Sequence, residues 1–175
     1  MPESLFVTGV NPYQNRIDRS IAFIDLSGFT HYTDAEGDGA AVEVLVQFRA
    51  AVREVCALKG VRIAKWLGDG AMLIGVEPEQ LAEALGDLSR LLAGAVLPLR
   101  AGVATGAVIL FEGDDYIGTS VNLAARLCDT AKPGQVLAPK DFPSSLMVNT
   151  RAKQLGDIML KGIDHPVEVV EIEAR

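Results

Sequence analysis

Residues 61–76 read VRIAKWLGDGAMLIGV. Two apolar runs flank Gly68, Asp69 and Gly70, and an Asp-Gly step between strand-like runs is the chemistry of a tight hairpin. Toward the N-terminus, residues 20–27 (SIAFIDLS) read as a buried strand with Asp25 at its end; Gly28 and the polar stretch THYTDAEGDG then break the pattern. Asp38 is placed to cap the next helix, in which Leu45, Phe48, Val52 and Val55 recur at helical spacing until Gly60 stops it. Toward the C-terminus, Pro78 opens a second helix with Leu81, Leu85, Leu88 and Leu92 on one face. LPLRAGVAT and AVILFE are expected as strands about Gly106, and TSVNLAARLCDTA as a helix that ends before Pro133 and Gly134. The strand QVLAP, a short turn or helix near residues 142–147, and terminal strands DIMLK and VEVVEIE complete the pattern. Interleaved strands and helices with an early hairpin make the class α/β or α+β, with one mixed sheet packed by helices. Residues 1–18, with Pro2, Gly9, Asn11, Pro12 and Asn15, suit a loosely structured lead-in.

Composition bounds the function. At 175 residues the chain has the size of one domain, with 49% hydrophobic and 22% charged residues. Sixteen Lys and Arg against 23 Asp and Glu give a net charge of -7, a field that repels nucleic acid and anionic membranes. A polyphosphate ligand therefore needs local cations or metal ions. Cys56, Cys128, His31 and His165 are too few and too scattered for a disulfide framework or a zinc site, and they argue against thiol and Ser-His-Asp chemistry. The longest uncharged runs, residues 91–99 and 101–111, fall short of the roughly 20 apolar residues of a membrane span. A reducing compartment, most simply the cytoplasm, is expected.

Asp25 and Asp69 each follow a strand signal and have glycine nearby. Mg2+ is held by one or two carboxylates plus substrate phosphates, and glycine admits a phosphate close to the backbone. Ordinary turn chemistry accounts for the same two residues, and spacing leaves both readings open. Asn122 and Arg126 share a helical face, where Arg126 brings a planar cation matched to phosphate oxygens, although solvated side chains give the same pattern. Lys65 and Arg100 interrupt apolar strands, as charges on a water-facing sheet also would.

The segments FIDLSGFT, KWLGDG, LRAGVATG, DYIGTSVNLAARL and LKGIDHPVEV occur in this order. Together they resemble the signature blocks of the class III nucleotidyl cyclases across nearly all of residues 19–173. The resemblance implies an α+β catalytic domain over residues 19–175, with a ferredoxin-like βαββαβ core and extra C-terminal strands. It also implies a head-to-tail homodimer with two composite interface sites, each using two Mg2+ (or Mn2+) ions. By position, Asp25 and Asp69 bridge the metals and the Leu26 carbonyl is a further ligand. Asn122 orients the ribose, Arg126 stabilises charge on the α-phosphate, Arg100 and Lys161 hold the outgoing phosphates, and Phe29 joins the substrate-binding residues. Lys65 and Asp115 read the purine. One protomer supplies Asp25, Asp69 and Arg100, and its partner supplies Lys65, Asp115, Asn122, Arg126 and Lys161.

A Lys donor and an Asp acceptor complement adenine N1 and its 6-amino group, whereas guanine presents the reverse pattern. The resemblance thus implies an adenylyl cyclase acting on ATP. A non-catalytic nucleotide-binding or dimerisation module and a guanylyl cyclase are the alternatives. One departure stands out: AVILFEGD lacks a second glycine-rich step found in many relatives, which bears on the arm expected at the dimer contact. No regulator is indicated, so control is expected through substrate, metal, dimerisation or an unidentified partner.

Overall fold

The structure, a computed structural model, describes residues 16–113, 115–142 and 147–175. Most of the expected lead-in, and the interior of the turn expected at residues 142–147, lie outside the described residues. The chain runs β1 (Arg16–Leu26), α1 (Phe29–Lys59), β2 (Arg62–Leu67), β3 (Gly70–Gly75), α2 (Pro78–Leu91) and β4 (Leu99–Phe111). It continues through β5 (Asp115–Ile117), α3 (Thr119–Thr130), β6 (Val136–Pro139), β7 (Thr150–Ile158) and β8 (Val167–Ala174).

One sheet contains all eight strands in the order β2-β3-β1-β4-β6-β8-β7, with β5 paired to β4. Among the first four strands each neighbouring pair is antiparallel, and the four lie in the order of a ferredoxin-like βαββαβ unit, as expected. The parallel pairing of β4 with β6 then extends the sheet to the C-terminal strands.

Alternation along β1 separates two cores. Ala22, Ile24 and Leu26 face α1 and α2, meeting Phe48, Val52, Leu81, Leu85 and Leu88 in the main core. Ile21 looks the other way, toward Met72, Ile74, Ala104 and Ala124 of α3. The main core therefore lies on one side of the sheet, and α3 covers only part of the other. Among the described residues no helix is long and apolar enough to cross a membrane.

Several boundaries differ from the expected ones. The stretch THYTDAEGDG is helical, because Gly28 at φ 80° turns the chain directly from β1 into α1 and its carbonyl accepts the Tyr32 amide at 3.0 Å. The helix breaks at Gly37 (φ 87°, ψ 169°), so Asp38 stands just past a kink within α1 rather than at its start, and His31 is an exposed helical residue. Gly106 makes no turn, since β4 runs unbroken through it. A Cβ there would lie 3.1 Å from Ser120 Cβ, so glycine admits α3 against the strand. β5 was not anticipated, and β7 covers Thr150–Ile158 rather than DIMLK, leaving Lys161 in the following turn.

Cys56 and Cys128 are free thiols, and burial pushes them up to about 11 and about 12 respectively. A chromogenic disulfide reagent at pH 8 is therefore expected to leave both unmodified in the native protein and to titrate both after denaturation. Rapid reaction of either native thiol would contradict the packing of α1 or α3.

Candidate active site

Asp25 lies next to the end of β1, opposite Gly70 of β3 on one side and Arg100 of β4 on the other. Directly opposed residues of an antiparallel pair share a face, so Asp25 and Arg100 project together on the face turned away from α1 and α2. Arg100 Nε and Nη2 both donate to Asp25 Oδ2, at 3.0 and 2.7 Å. Arg100 Nη1 donates to the Asp129 carbonyl at 3.2 Å, which ties the pair to the end of α3.

Asp69 forms the tip of the β2–β3 hairpin, where its carbonyl accepts the Leu26 amide at 3.1 Å. A Cβ on Gly70 would fall 2.4 Å from the Ile24 carbonyl and 3.3 Å from Asp25 Oδ1, so only glycine lets the hairpin approach β1 this closely. Burial first, and then the neighbouring Asp25 carboxylate, hold the Asp69 carboxyl above its ordinary range; Arg100 works against both. A pair of crowded carboxylates is a hard-oxygen donor set suited to a divalent cation, which would relieve their repulsion. Two carboxylates are a number by which Mg2+ is commonly held together with substrate phosphates; among the described residues there is no group of three or more His, Cys, Asp or Glu that could hold a metal.

Lys65 of β2 is paired with Met72 of β3, which is paired in turn with Phe23 of β1. Lys65 therefore shares the face of Asp25. Its ammonium hydrogen-bonds and ion-pairs with the Asp115 carboxylate of β5. In the sheet β5 is separated from β2 by β4, β1 and β3, so the β4–β5 arm folds over the face to make this contact. Tyr116 anchors the arm by packing with Ile21, Met72 and Ile74, and its hydroxyl accepts from Arg62 Nη1 at 3.4 Å.

Asn122 lines a cleft of about 530 Å³ between α3, Thr105 and Gly106 of β4, and residues 162–165 after the exposed Lys161. Arg126 is ion-paired with Asp129 at 3.2 Å. Asp25 lines a separate cleft of about 180 Å³ with Leu67, Gly70 and Asp129. No residue lines both clefts; within one chain Asp25 is joined to Arg100 and crowded by Asp69, and Lys65 is joined to Asp115, while Asn122 opens onto the other cleft. Phe29, the first residue of α1, packs against the main core, and Leu26 is buried at the end of β1.

Sequence reasoning passed over Asp129, whose carbonyl holds Arg100 and whose carboxylate holds Arg126. Its helical i,i+3 spacing from Arg126 was the available signal.

No family model matches the chain. An uncharacterized protein of Mycobacterium tuberculosis is 40% identical over 157 residues, which cover 87% of this chain and 40% of that protein. A protein of Glutamicibacter nicotianae named adenylate cyclase is 32% identical over 135 residues, covering 76% of this chain and 33% of that protein. The chain thus spans well under half the length of these curated relatives. The crystal structure of the adenylyl cyclase CyaB from P. aeruginosa superposes with a TM-score of 0.78 at 23% identity, covering 92% of this chain and 96% of that one. With the ferredoxin-like strand order, the Gly70-dependent contact of the hairpin with β1 and these likenesses together, the chain belongs to the class III nucleotidyl cyclase catalytic domains.

Proposed function

We propose that this domain is an adenylyl cyclase, acting in the cytoplasm to convert ATP to 3',5'-cyclic AMP and pyrophosphate. The observation that carries the reading is that the Asp25–Asp69 carboxylates and the Lys65–Asp115 pair lie on one open sheet face. The relative named adenylate cyclase supports it.

In the reaction the ribose 3'-hydroxyl attacks the α-phosphate in line and pyrophosphate leaves, so the protein's task is to fold one substrate onto itself and stabilise added charge. Two Mg2+ or Mn2+ ions, when bound, supply acidification of the 3'-hydroxyl and neutralisation of the triphosphate. Asp25, Asp69 and the Leu26 carbonyl are the ligands this chain offers them. Arg100, released from Asp25, and Lys161 hold the outgoing phosphates, and Phe29 is counted among the substrate-binding residues by the resemblance alone. Asn122 orients the ribose and Arg126 meets the charge on the α-phosphate. The 3'-hydroxyl proton passes to water or to a substrate phosphate.

The separate clefts of Asp25 and Asn122 support a composite site built by two protomers, with two such sites per homodimer. The Lys65 donor and Asp115 acceptor match adenine, and each mismatch with guanine leaves a polar group unpaired at about 1–3 kcal/mol, together at least about tenfold in preference.

Purified protein given ATP or GTP with Mn2+ is expected to yield cyclic AMP from ATP on product chromatography. Absence of any cyclic nucleotide would leave a non-catalytic nucleotide-binding module. The double variant Lys65→Glu, Asp115→Cys is expected to lose ATP preference by at least about tenfold and gain GTP turnover. Unchanged ATP selectivity would remove Lys65 and Asp115 from base reading.

A further inference from the structure

Arg49 and Arg53 lie one helical turn apart on α1, so their side chains share a face. Trp66 of β2, the chain's one tryptophan, lies beneath both, with guanidinium carbons 4.8 Å (Arg49) and 5.2 Å (Arg53) from the ring centroid. Phe48 meets the same ring edge-on at 6.4 Å and 74°. The two arginines then part in what they do. Arg49 Nη2 reaches past the ring and donates to the Gly68 carbonyl at 3.2 Å, whereas Arg53 has no bond to the hairpin. Gly68 is a positive-φ residue (φ 65°) immediately before Asp69. Arg49 Nε is buried without a hydrogen-bond partner, so among the described residues the guanidinium is held there by the ring and the Gly68 carbonyl.

The contact matters because of what the hairpin carries. Lys65 and Trp66 are neighbours on β2, and with side chains alternating across the sheet Trp66 points into the α1 side while Lys65 points to the open face. Gripping Trp66 from behind therefore fixes Lys65 in front. At the tip, Asp69 must stand beside Asp25, a second carboxylate, and beyond the β1–β3 ladder two bonds to main-chain carbonyls help to keep it there: the Leu26 amide to Asp69 and the Arg49 guanidinium to Gly68. A planar cation that stacks and donates at once suits this double task, and Lys, a point charge on a flexible stem, does not.

We propose that Arg49 is a positioning residue that clamps the β2–β3 hairpin to α1 through Trp66 and the Gly68 carbonyl, thereby setting where Asp69 and Lys65 stand. The role in catalysis rests on the cyclase reading, while the clamp itself does not.

The test compares Arg49→Gln, Arg49→Lys and Arg53→Gln in the full chain by two readouts. Amide hydrogen exchange of residues 66–72, in protein free of metal and nucleotide, is expected to rise about tenfold in both Arg49 variants, with β1 and α2 as unchanged internal references. Arg53→Gln is expected to alter Trp66 fluorescence and leave hairpin exchange as in the parent. In turnover assays both Arg49 variants are expected to need about tenfold more Mn2+ for half-maximal rate, with kcat at saturating Mn2+ nearly retained; Arg53→Gln keeps the parent's requirement. Hairpin exchange equal to the parent's in Arg49→Gln, an equal rise in Arg53→Gln, or a rise matched across β1 and α2 would each overturn the clamp. If the parent makes no cyclic nucleotide but the Arg49 variants loosen the hairpin alone, the clamp stands and the cyclase reading falls.

Discussion

Alanine at position 25 is expected to cut cyclic AMP formation by at least about a hundredfold, the scale seen when one group that stabilises transition-state charge is lost. Two consequences of the geometry make the effect large. Asp69 would be left without its partner carboxylate, and Arg100, which places Nε and Nη2 on Asp25 Oδ2, would keep only the Asp129 carbonyl. Asn122→Ala is expected to be comparably inactive by itself. When the two variants are mixed and allowed to exchange protomers, each heterodimer regains one intact site, because one chain contributes a sound Asp25 and the other a sound Asn122. Random pairing then restores about a quarter of the parental rate, since half the dimers are mixed and each has one good site. Verified heterodimers with no recovered activity would rule out the shared site, and with it the reading of the two separate clefts.

Gly102→Ala is expected to be the most disruptive single methyl in the domain. On β4 a Cβ at this position would lie 2.2 Å from both the Ala124 carbonyl oxygen and the Cys128 amide nitrogen, and 2.8 Å from the Leu127 carbonyl carbon. These are backbone atoms of α3, so no rotamer change can make room and the helix must lift off the strand. A stability loss of at least about 3 kcal/mol follows, the upper range for overpacking. For a chain of 175 residues that corresponds to a fall in Tm of about 6–12 °C. Turnover is expected to fall further than stability alone implies, since α3 carries Asn122 and Arg126. Gly106→Ala is the milder control, because its new methyl would meet the Ser120 side chain rather than backbone. A Tm for Gly102→Ala equal to the parent's would contradict the direct seating of α3 on β4.

The same glycines explain what the amino-acid sequence conceals. Glycine in a strand pattern marks either a turn or a close approach, and the residue string does not distinguish them. At Gly68 and Gly60 the turn reading holds; at Gly102 and Gly106 the glycine exists for the helix above it. The start of α1 was hidden because its first turns are mostly exposed and polar, so no apolar face announces them, and Gly37 breaks the helix where a cap was expected. By contrast β1 and α2 were legible because each buries an apolar set at its own period, and the hairpin because two apolar runs flank Gly68, Asp69 and Gly70.

At the site, the chain displayed Asp25 and Asp69 as two acids beside glycines but could not say that they meet. That depends on the pairing of Asp25 with Gly70 and on a gap only glycine fills. Asp129 and Arg49 escaped notice because their importance is in tertiary contacts: the Asp129 carbonyl accepts from Arg100, and Arg49 meets the Gly68 carbonyl and one aromatic ring. Apolar periodicity registers neither contact.

The division of the sheet into two unlike sides has a bearing on how such a domain can diversify. Phe48, Val52, Leu81, Leu85 and Leu88 build the main core on one side, whereas Lys65, Asp25 and Arg100 emerge on the other, beside the smaller core under α3. Exchanges at Lys65 and Asp115, which the proposal makes the nucleobase readers, leave the residues of that main core in place, and sites without shared neighbours contribute to stability nearly independently. On that reading, selectivity can drift on this scaffold without a compensating change in its main core.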